Sequence, residues 1–331
     1  MNNEKICVLG AGGWGTTLAI HLCRKGFAVS LWEAFPDYAE VLLKQRKNPK
    51  FLPGIDIPAD IHITSKIDES VSDAHLVVYA VPSHVMRKVA KSSHVPEEVV
   101  KLSVAKGIEN KTLKRMSEII AEETNNANIV VLSGPSHAEE VVRGIPTTVV
   151  VSGKDMDVAK HVQTVFMSEN FRVYTNSDVI GVELGGALKN IIAIAAGISD
   201  GLGFGDNTKS ALLTRGLAEI RRLGVKMGAK PHTFSGLSGI GDLITTCTSK
   251  HSRNRFVGEQ IAKGKALSQI LDSMSMVSEG IRTTESAYTL SKKYSVDMPI
   301  TTEIHEVLFN NKDPRKAVMD LMTRDAKSEI E

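Results

Sequence analysis

Three features of this 331-residue chain combine residue types and spacings that can do chemistry. The first is Gly10-Ala11-Gly12-Gly13-Trp14-Gly15, which follows the apolar run Ile6-Cys7-Val8-Leu9 and precedes the helical pattern Thr16 to Leu22. Glycines at this spacing, between a strand and a helix, bring backbone close to a pyrophosphate. Gly10 makes the tight turn, Gly12 leaves room for phosphate oxygens, and Gly15 lets helix and sheet pack closely. The helix N-terminus adds free N–H groups and partial positive charge. A bare glycine pattern says little; its place between strand and helix gives it weight.

The second is Glu33, 33 − 15 = 18 residues beyond Gly15, at the expected end of the second strand. A carboxylate there can accept both ribose hydroxyls of NAD and repels the 2′-phosphate of NADP. The alternative is a solvated loop charge. No Arg or Lys occurs between Glu33 and Val41, so the reading leans to NAD. The third is Lys189, next to Asn190 in the middle of the apolar stretch Gly181 to Asn207. A helix apolar on every face is normally buried, and burying an unpartnered charge is costly. A desolvated lysine deprotonates more easily and can exchange a proton with a substrate oxygen near neutral pH. The other reading is a lysine that snorkels outward or is paired structurally. Both stand at this point.

The elements that must position these groups follow from periodicity. Strands are expected at Lys5–Leu9, Ala28–Trp32, Leu76–Val81, Val99–Val104, Ile129–Leu132, Thr147–Ser152 and Phe171–Tyr174. Several are continuous Val/Ile/Leu runs, the pattern of parallel strands covered on both faces. Helical stretches such as Trp14–Lys25 and Leu113–Glu123 alternate with them. The alternation predicts an α/β fold with a doubly wound, Rossmann-like sheet over residues 1–177. From Asp178 apolar residues recur three and four apart, in Ala211–Met227, Asn254–Lys263, Arg282–Tyr294 and Thr301–Phe309. Pro314 can start a last helix capped by Asp313. Residues 178–331 therefore read as a second, mostly α-helical domain.

Composition excludes several classes. Hydrophobic residues make up 42% and charged residues 24%, which suits an ordinary globular core. A formal net charge of +2 suggests neither a nucleic-acid binder nor a polybasic membrane protein. The N-terminus lacks a signal-peptide layout, and the longest apolar run, Ile191 to Ile198, falls short of the roughly 18 residues that span a bilayer. Cys7, Cys23 and Cys247 form neither a disulfide framework nor a zinc site, so a cytoplasmic setting is expected.

Further stretches carry a resemblance. GAGGWGTTLA at Gly10, AVPSH at Ala80, AKGIE at Ala105 and LSGPSHAEE at Leu132 occur in order. So do GGALKNIIAIAAGISDGLGFGDN at Gly185, FSGLSGIGDLITTCTS at Phe234, HSRNR at His251 and SEGIRTT at Ser278. Together they resemble the bacterial NAD(P)-dependent sn-glycerol-3-phosphate dehydrogenases over nearly the whole chain. The resemblance implies reversible hydride transfer between NAD(P)H and dihydroxyacetone phosphate, giving sn-glycerol 3-phosphate for glycerophospholipid synthesis. It implies Lys189 as general acid/base at the C2 oxygen, and Lys106 near substrate and nicotinamide. Asp242 would hold the lysine or a substrate hydroxyl, with Thr246 one helical turn on. Ser252, Arg253 and Asn254, at a helix start, would bind the substrate phosphate, Arg253 by parallel N–H bonds. Gly134, Ser136 and Ala138 would line the cleft. Gly13, Trp14, Phe35, Val277 and Glu279 would join Gly10, Gly12, Gly15, Glu33, Lys106, Ala138 and Arg253 around the cofactor, NAD(H) and/or NADP(H). A homodimer is also implied.

His84 and His137 read as satisfied loop histidines, and no histidine has metal-ligand spacing. One departure stands out. NADPH-using bacterial members often carry a basic residue just after the second strand, where this chain has Glu33-Ala34-Phe35. Competing readings are a related β-hydroxy-acid dehydrogenase, which would not need Ser252-Arg253-Asn254, and a non-catalytic nucleotide-binding regulator.

Overall fold

The computed structural model describes residues 4–126, 129–274, 278–326 and 328–329. Among the described residues ten strands are present: β1 Lys5–Leu9, β2 Ala28–Trp32, β3 Lys47–Asn48, β4 Leu52–Asp56, β5 His62–Thr64, β6 Leu76–Tyr79, β7 Val100–Ser103, β8 Ile129–Ser133, β9 Thr147–Gly153 and β10 Phe171–Asn176. Eight form one sheet in the order β10-β9-β8-β7-β6-β1-β2-β5, while β3 and β4 make a separate antiparallel hairpin. Within the sheet β8 and β9 run antiparallel and the other neighbours are parallel.

Side-chain alternation along β1 builds both faces of the sheet. Ile6 and Val8 join Leu18, Leu31 and Leu102 on one side; Cys7 and Leu9 join Tyr79, Met86 and Ile119 on the other. The chain leaves β1 towards β2 on one side and later returns to β6 on the other. That reversal opens a crevice beyond the C-terminal ends of β1 and β6, the usual ligand position in such sheets.

All seven expected strands form, β1 and β2 to the residue and the others with ends shifted by one or two residues. Three strands were not expected: β5 and the β3–β4 hairpin. β3 and β5 are short, β4 is interrupted by Pro53-Gly54, none carries an apolar run, and only their pairing partners make them strands. The antiparallel entry of β9 is equally invisible locally, because β9 reads as an apolar run whichever way it points.

From Val179 onward the described elements are helical. The helix Val179–Gly201 is the long apolar segment, its first N–H groups capped by Asp178, which accepts from Gly181 N at 2.9 Å. By length and composition it is the one helix among the described residues apolar enough to cross a membrane, yet 89% of its most apolar window is buried inside the protein. Helices Asp206–Lys226, Asp242–Thr248, Arg253–Ala262, Glu279–Lys293 and Pro299–Phe309 surround it. Gly197 and Gly258 allow the closest crossing: a Cβ on Gly197 would overlap the Arg255 carbonyl, and one on Gly258 the Ile194 carbonyl. That crossing brings the start of Arg253–Ala262 alongside the long helix. The last helix, Pro314–Met322, starts as expected, with Asp313 accepting from Lys316 N at 2.9 Å. Val131 and Val150 of the sheet pack on Val179 and Val182, joining the two halves. Glu183 reinforces the joint, accepting from Ser117 N at 2.8 Å and Ser117 Oγ at 2.6 Å and pairing with Arg115.

Candidate active site

The cofactor end is made of backbone. Gly10 has φ +113°, and a Cβ there would strike the Ala80 carbonyl, so β1 turns tightly beside β6. A Cβ on Gly15 would overlap the Gly10 carbonyl oxygen, which is why helix Gly13–Arg24 can start hard against the strand. Gly12, its N-cap, faces open space and offers no side chain to the free N–H groups, and no acid occupies the first turn. This cradle suits a dianionic pyrophosphate. Ala138 adjoins it, its carbonyl accepting from Thr17 Oγ1 at 3.2 Å. Phe35 is 72% exposed and free to cover an adenosine. Trp14 instead packs on the core, 6.5 Å from the Phe171 ring. Glu33 is buried, and its Oε1 accepts from Phe35 N at 3.1 Å. Burial raises its pKa, opposed by the Phe35 and Ala34 N–H groups and by the charge of Lys50.

The chemical end is made of side chains from distant segments. Lys189 lies mid-way along the buried long helix, and its Nζ meets Asp242 Oδ1 at 2.8 Å and the Thr246 hydroxyl. Asp242 and Thr246 share one face of a short helix, where Thr246 Oγ1 donates to the Asp242 carbonyl at 2.7 Å. Lys106, beyond the end of β7, donates to Asp242 Oδ2 at 2.7 Å and to the Gly134 carbonyl at 2.8 Å. One carboxylate therefore bridges two lysines. An ammonium has three donors, and each lysine spends two, leaving one N–H for a ligand. Burial brings the Lys189 pKa down to about 8, against the attraction of Asp242 and with repulsion from Lys106. Burial pushes the Asp242 carboxyl up, but the two lysines together outweigh it and hold it below its ordinary value.

The third component is the start of helix Arg253–Ala262. Ser252 caps it, accepting from Arg255 N at 3.2 Å. The Asn254 side chain is largely committed: Nδ2 donates to Asn190 Oδ1 at 2.9 Å, and Oδ1 accepts from Ser278 Oγ at 2.6 Å and Gly280 N at 2.9 Å. Asn190 Nδ2 in turn reaches the Lys106 carbonyl at 3.4 Å. Asn254 thus ties this helix to the lysine cluster instead of pointing freely at a ligand. Arg253 reaches solvent but is ringed by protein; loss of hydration lowers its pKa, opposed by Glu279 and Glu139. Glu279 spans the cleft, accepting from Ser83 N at 3.0 Å and from the Ser83 hydroxyl. Gly134 has φ +130°, and Ser136 Oγ donates to its carbonyl at 2.9 Å. Val277 lies outside the described residues.

The expectation of satisfied histidines needs one correction. His137 Nε2 is buried without a hydrogen-bond partner, and burial, aided by Lys189 and Lys106, lowers its pKa. Its ring stands 5.8 Å from His251. His84 is exposed on the turn Ser83–Val85. Among the described residues no three His, Cys, Asp or Glu side chains converge as metal ligands. Sequence reasoning gave no role to Ser83 or Asn190. Asn190, beside Lys189, was the one with a signal: a second polar group inside an apolar helix.

Comparison with known proteins shows the family. Residues 5–159 match the model of the NAD-dependent glycerol-3-phosphate dehydrogenase N-terminus, and residues 178–319 match that of its C-terminus. A glycerol-3-phosphate dehydrogenase [NAD(P)+] from Pelotomaculum thermopropionicum is 55% identical, covering 99% of this chain and 95% of its own. One from a Thermoanaerobacter species is 55% identical, covering 98% and 99%. The crystal structure of glycerol-3-phosphate dehydrogenase from Coxiella burnetii superposes with a TM-score of 0.94 at 35% identity, covering 97% of this chain and 99% of that one. Full-length similarity, the glycine cradle and the bridged lysine pair converge: this chain belongs to the NAD-dependent glycerol-3-phosphate dehydrogenase family.

Proposed function

We propose that this NAD(P)-dependent glycerol-3-phosphate dehydrogenase works through Lys189 as its proton donor and acceptor, with Lys106 and Asp242 as partners. The reaction interconverts dihydroxyacetone phosphate and sn-glycerol 3-phosphate, a precursor of glycerophospholipids. The observation that carries the assignment is the Asp242 carboxylate bridging Lys106 and Lys189, each lysine keeping one N–H uncommitted.

When bound, the nicotinamide supplies the hydride to C2 or takes it away. In reduction Lys189 Nζ gives a proton to the C2 oxygen as that oxygen gains charge. In oxidation the neutral amine takes the hydroxyl proton. A pKa near 8 keeps both forms accessible around neutral pH. Lys106, held by Asp242 and Gly134, directs its remaining N–H at the carbonyl oxygen and stabilises the charge that develops there. Thr246 and Asp242 keep the Lys189 amine from rotating away. Arg253, at a helix N-terminus, holds the phosphate, and Asn254 fixes that helix against Asn190. Ser136 and Gly134 close the cleft from the sheet side, and Glu279 closes it beside the cofactor.

The chain divides functionally between Ser177 and Asp178, a placement supported by Asp178 capping the long helix. A cytoplasmic homodimer is the working form, supported by the family resemblance and by three free cysteines; a single-chain mass in light scattering contradicts the dimer. The test of substrate class is turnover of dihydroxyacetone phosphate against 3-hydroxy acids. Turnover of the phosphate alone is expected, and turnover of the acids alone overturns the reading.

A further inference from the structure

We propose that Lys50, at the tip of the β3–β4 hairpin, receives the 2′-phosphate of a phosphorylated dinucleotide and lets the chain use NADPH although an acid, Glu33, directly follows β2. The proposal rests on the cofactor site assigned above. That site has no basic side chain directly after β2, so a second negative charge on the adenosine ribose needs a cation from elsewhere. The hairpin brings one.

The hairpin is pinned to the glycine turn. Asn48 Nδ2 donates to the Ala11 carbonyl and to Thr16 Oγ1, both at 2.8 Å. Its Oδ1 accepts from Tyr38 OH at 2.6 Å and from Phe51 N at 3.1 Å. Gly13 has no Cβ, and the Phe51 carbonyl fills that space, so the tip lies directly over the start of the cofactor helix. Asn48 is buried at the centre of this network, so the tip is held in position instead of swinging as a loop.

Lys50 is exposed on that tip, with Nζ 5.0 Å from the centre of the Phe51 ring and 6.0 Å from that of Tyr38. Among the described residues it has no ion pair, whereas nearby cations are committed. Lys44 pairs with Glu40, Lys47 with Asp56 at 3.5 Å, and Arg46 donates to the Ile61 carbonyl at 2.8 Å. Burial raises the Glu33 pKa, and the charge of Lys50 is the weakest of the influences that oppose it. One Glu33 oxygen is also engaged by Phe35 N, which draws the carboxylate into the turn. The ribose end therefore presents an acid partly spent on its own backbone and a lysine that rests on two aromatic rings but has no carboxylate partner among the described residues.

The experiment measures binding without hydride chemistry. Adenosine 2′,5′-bisphosphate and adenosine 5′-monophosphate are titrated calorimetrically into the full chain, wild type, Lys50→Met and, as a control, Lys66→Met, an exposed lysine two residues beyond β5 and outside the hairpin. Lys50→Met is expected to weaken the bisphosphate about tenfold, the low end for an exposed charge-assisted contact, and to leave the monophosphate within twofold. The KM ratio of NADPH to NADH should rise by a similar factor. Unchanged bisphosphate affinity overturns the proposal, as does equal weakening of both probes or a selective loss in Lys66→Met. Failure of NADH and of both probes to bind the wild type defeats the cofactor assignment itself, which is a separate outcome.

Discussion

The two ends of the cleft solve different problems with different materials. At the cofactor end, residues 10–15 supply backbone N–H groups and empty space, and almost nothing else. At the chemical end, Lys106, Lys189, Asp242 and Thr246 come from a strand end, a buried helix and a short helix far apart in the chain. A pyrophosphate is large, doubly charged and always anionic, so fixed dipoles suffice. A proton must be given and taken back, so its carrier has to titrate, and that requires burial balanced by charge. The lesson is that binding is local here, while reactivity is a property of packing.

Breaking the chemical end should have the largest effect. Lys189→Met is expected to cost about 10²–10⁴-fold in kcat, the range for a positioned general acid/base, with dinucleotide affinity by calorimetry unchanged. An undiminished kcat removes Lys189 from the mechanism. Gly15→Val breaks the other end, because its Cβ meets the Gly10 carbonyl. Overpacking of this kind should weaken NADH binding about 10–100-fold; tight binding by the variant would show that the turn can relax. Arg253→Ala sits between the ends. Loss of a charged contact should raise KM for dihydroxyacetone phosphate about 10–100-fold with little change in kcat, and an unmoved KM counts against the phosphate assignment.

The smallest effect sharpens the comparison through pH. Reduction needs Lys189 protonated, so kcat for dihydroxyacetone phosphate should decline as pH rises past about 8, the value burial imposes. Oxidation needs the neutral amine, so it should rise over the same interval. The glycine cradle contains no titrating group, and dinucleotide affinity should stay level across that range. A kcat profile flat in both directions would detach the titration from the chemistry.

Much of the fold was legible because strong local signals coincide with elements. Lys5–Leu9 and Ala28–Trp32 were placed to the residue, since continuous apolar runs flanked by turns leave little choice. The β3–β4 hairpin was not legible. Lys47-Asn48 carries no apolar alternation, and the Asn48 bonds to Ala11 and Thr16 exist only once the glycine turn has folded. Asn254 shows the same limit. Its type suits phosphate binding, but its bonds to Asn190, Ser278 and Gly280 turn it into a strut. Glu33 reads as a ribose acceptor by position, yet its own turn engages one oxygen.

The sequence by itself determined the glycine turn, the alternating half, the helical half and an apolar helix with a lysine at its middle; that the lysine is buried there was decided by packing. Each follows from neighbours within a few residues, which fix backbone conformation and burial pattern. Only the tertiary structure decided what surrounds that lysine. Asp242 neutralises it, Lys106 opposes it, and the pKa that results depends on distances between segments that no local pattern encodes. The same is true at the ribose end, where Asn48 ties to the cofactor turn a hairpin that forms no pattern in the sequence.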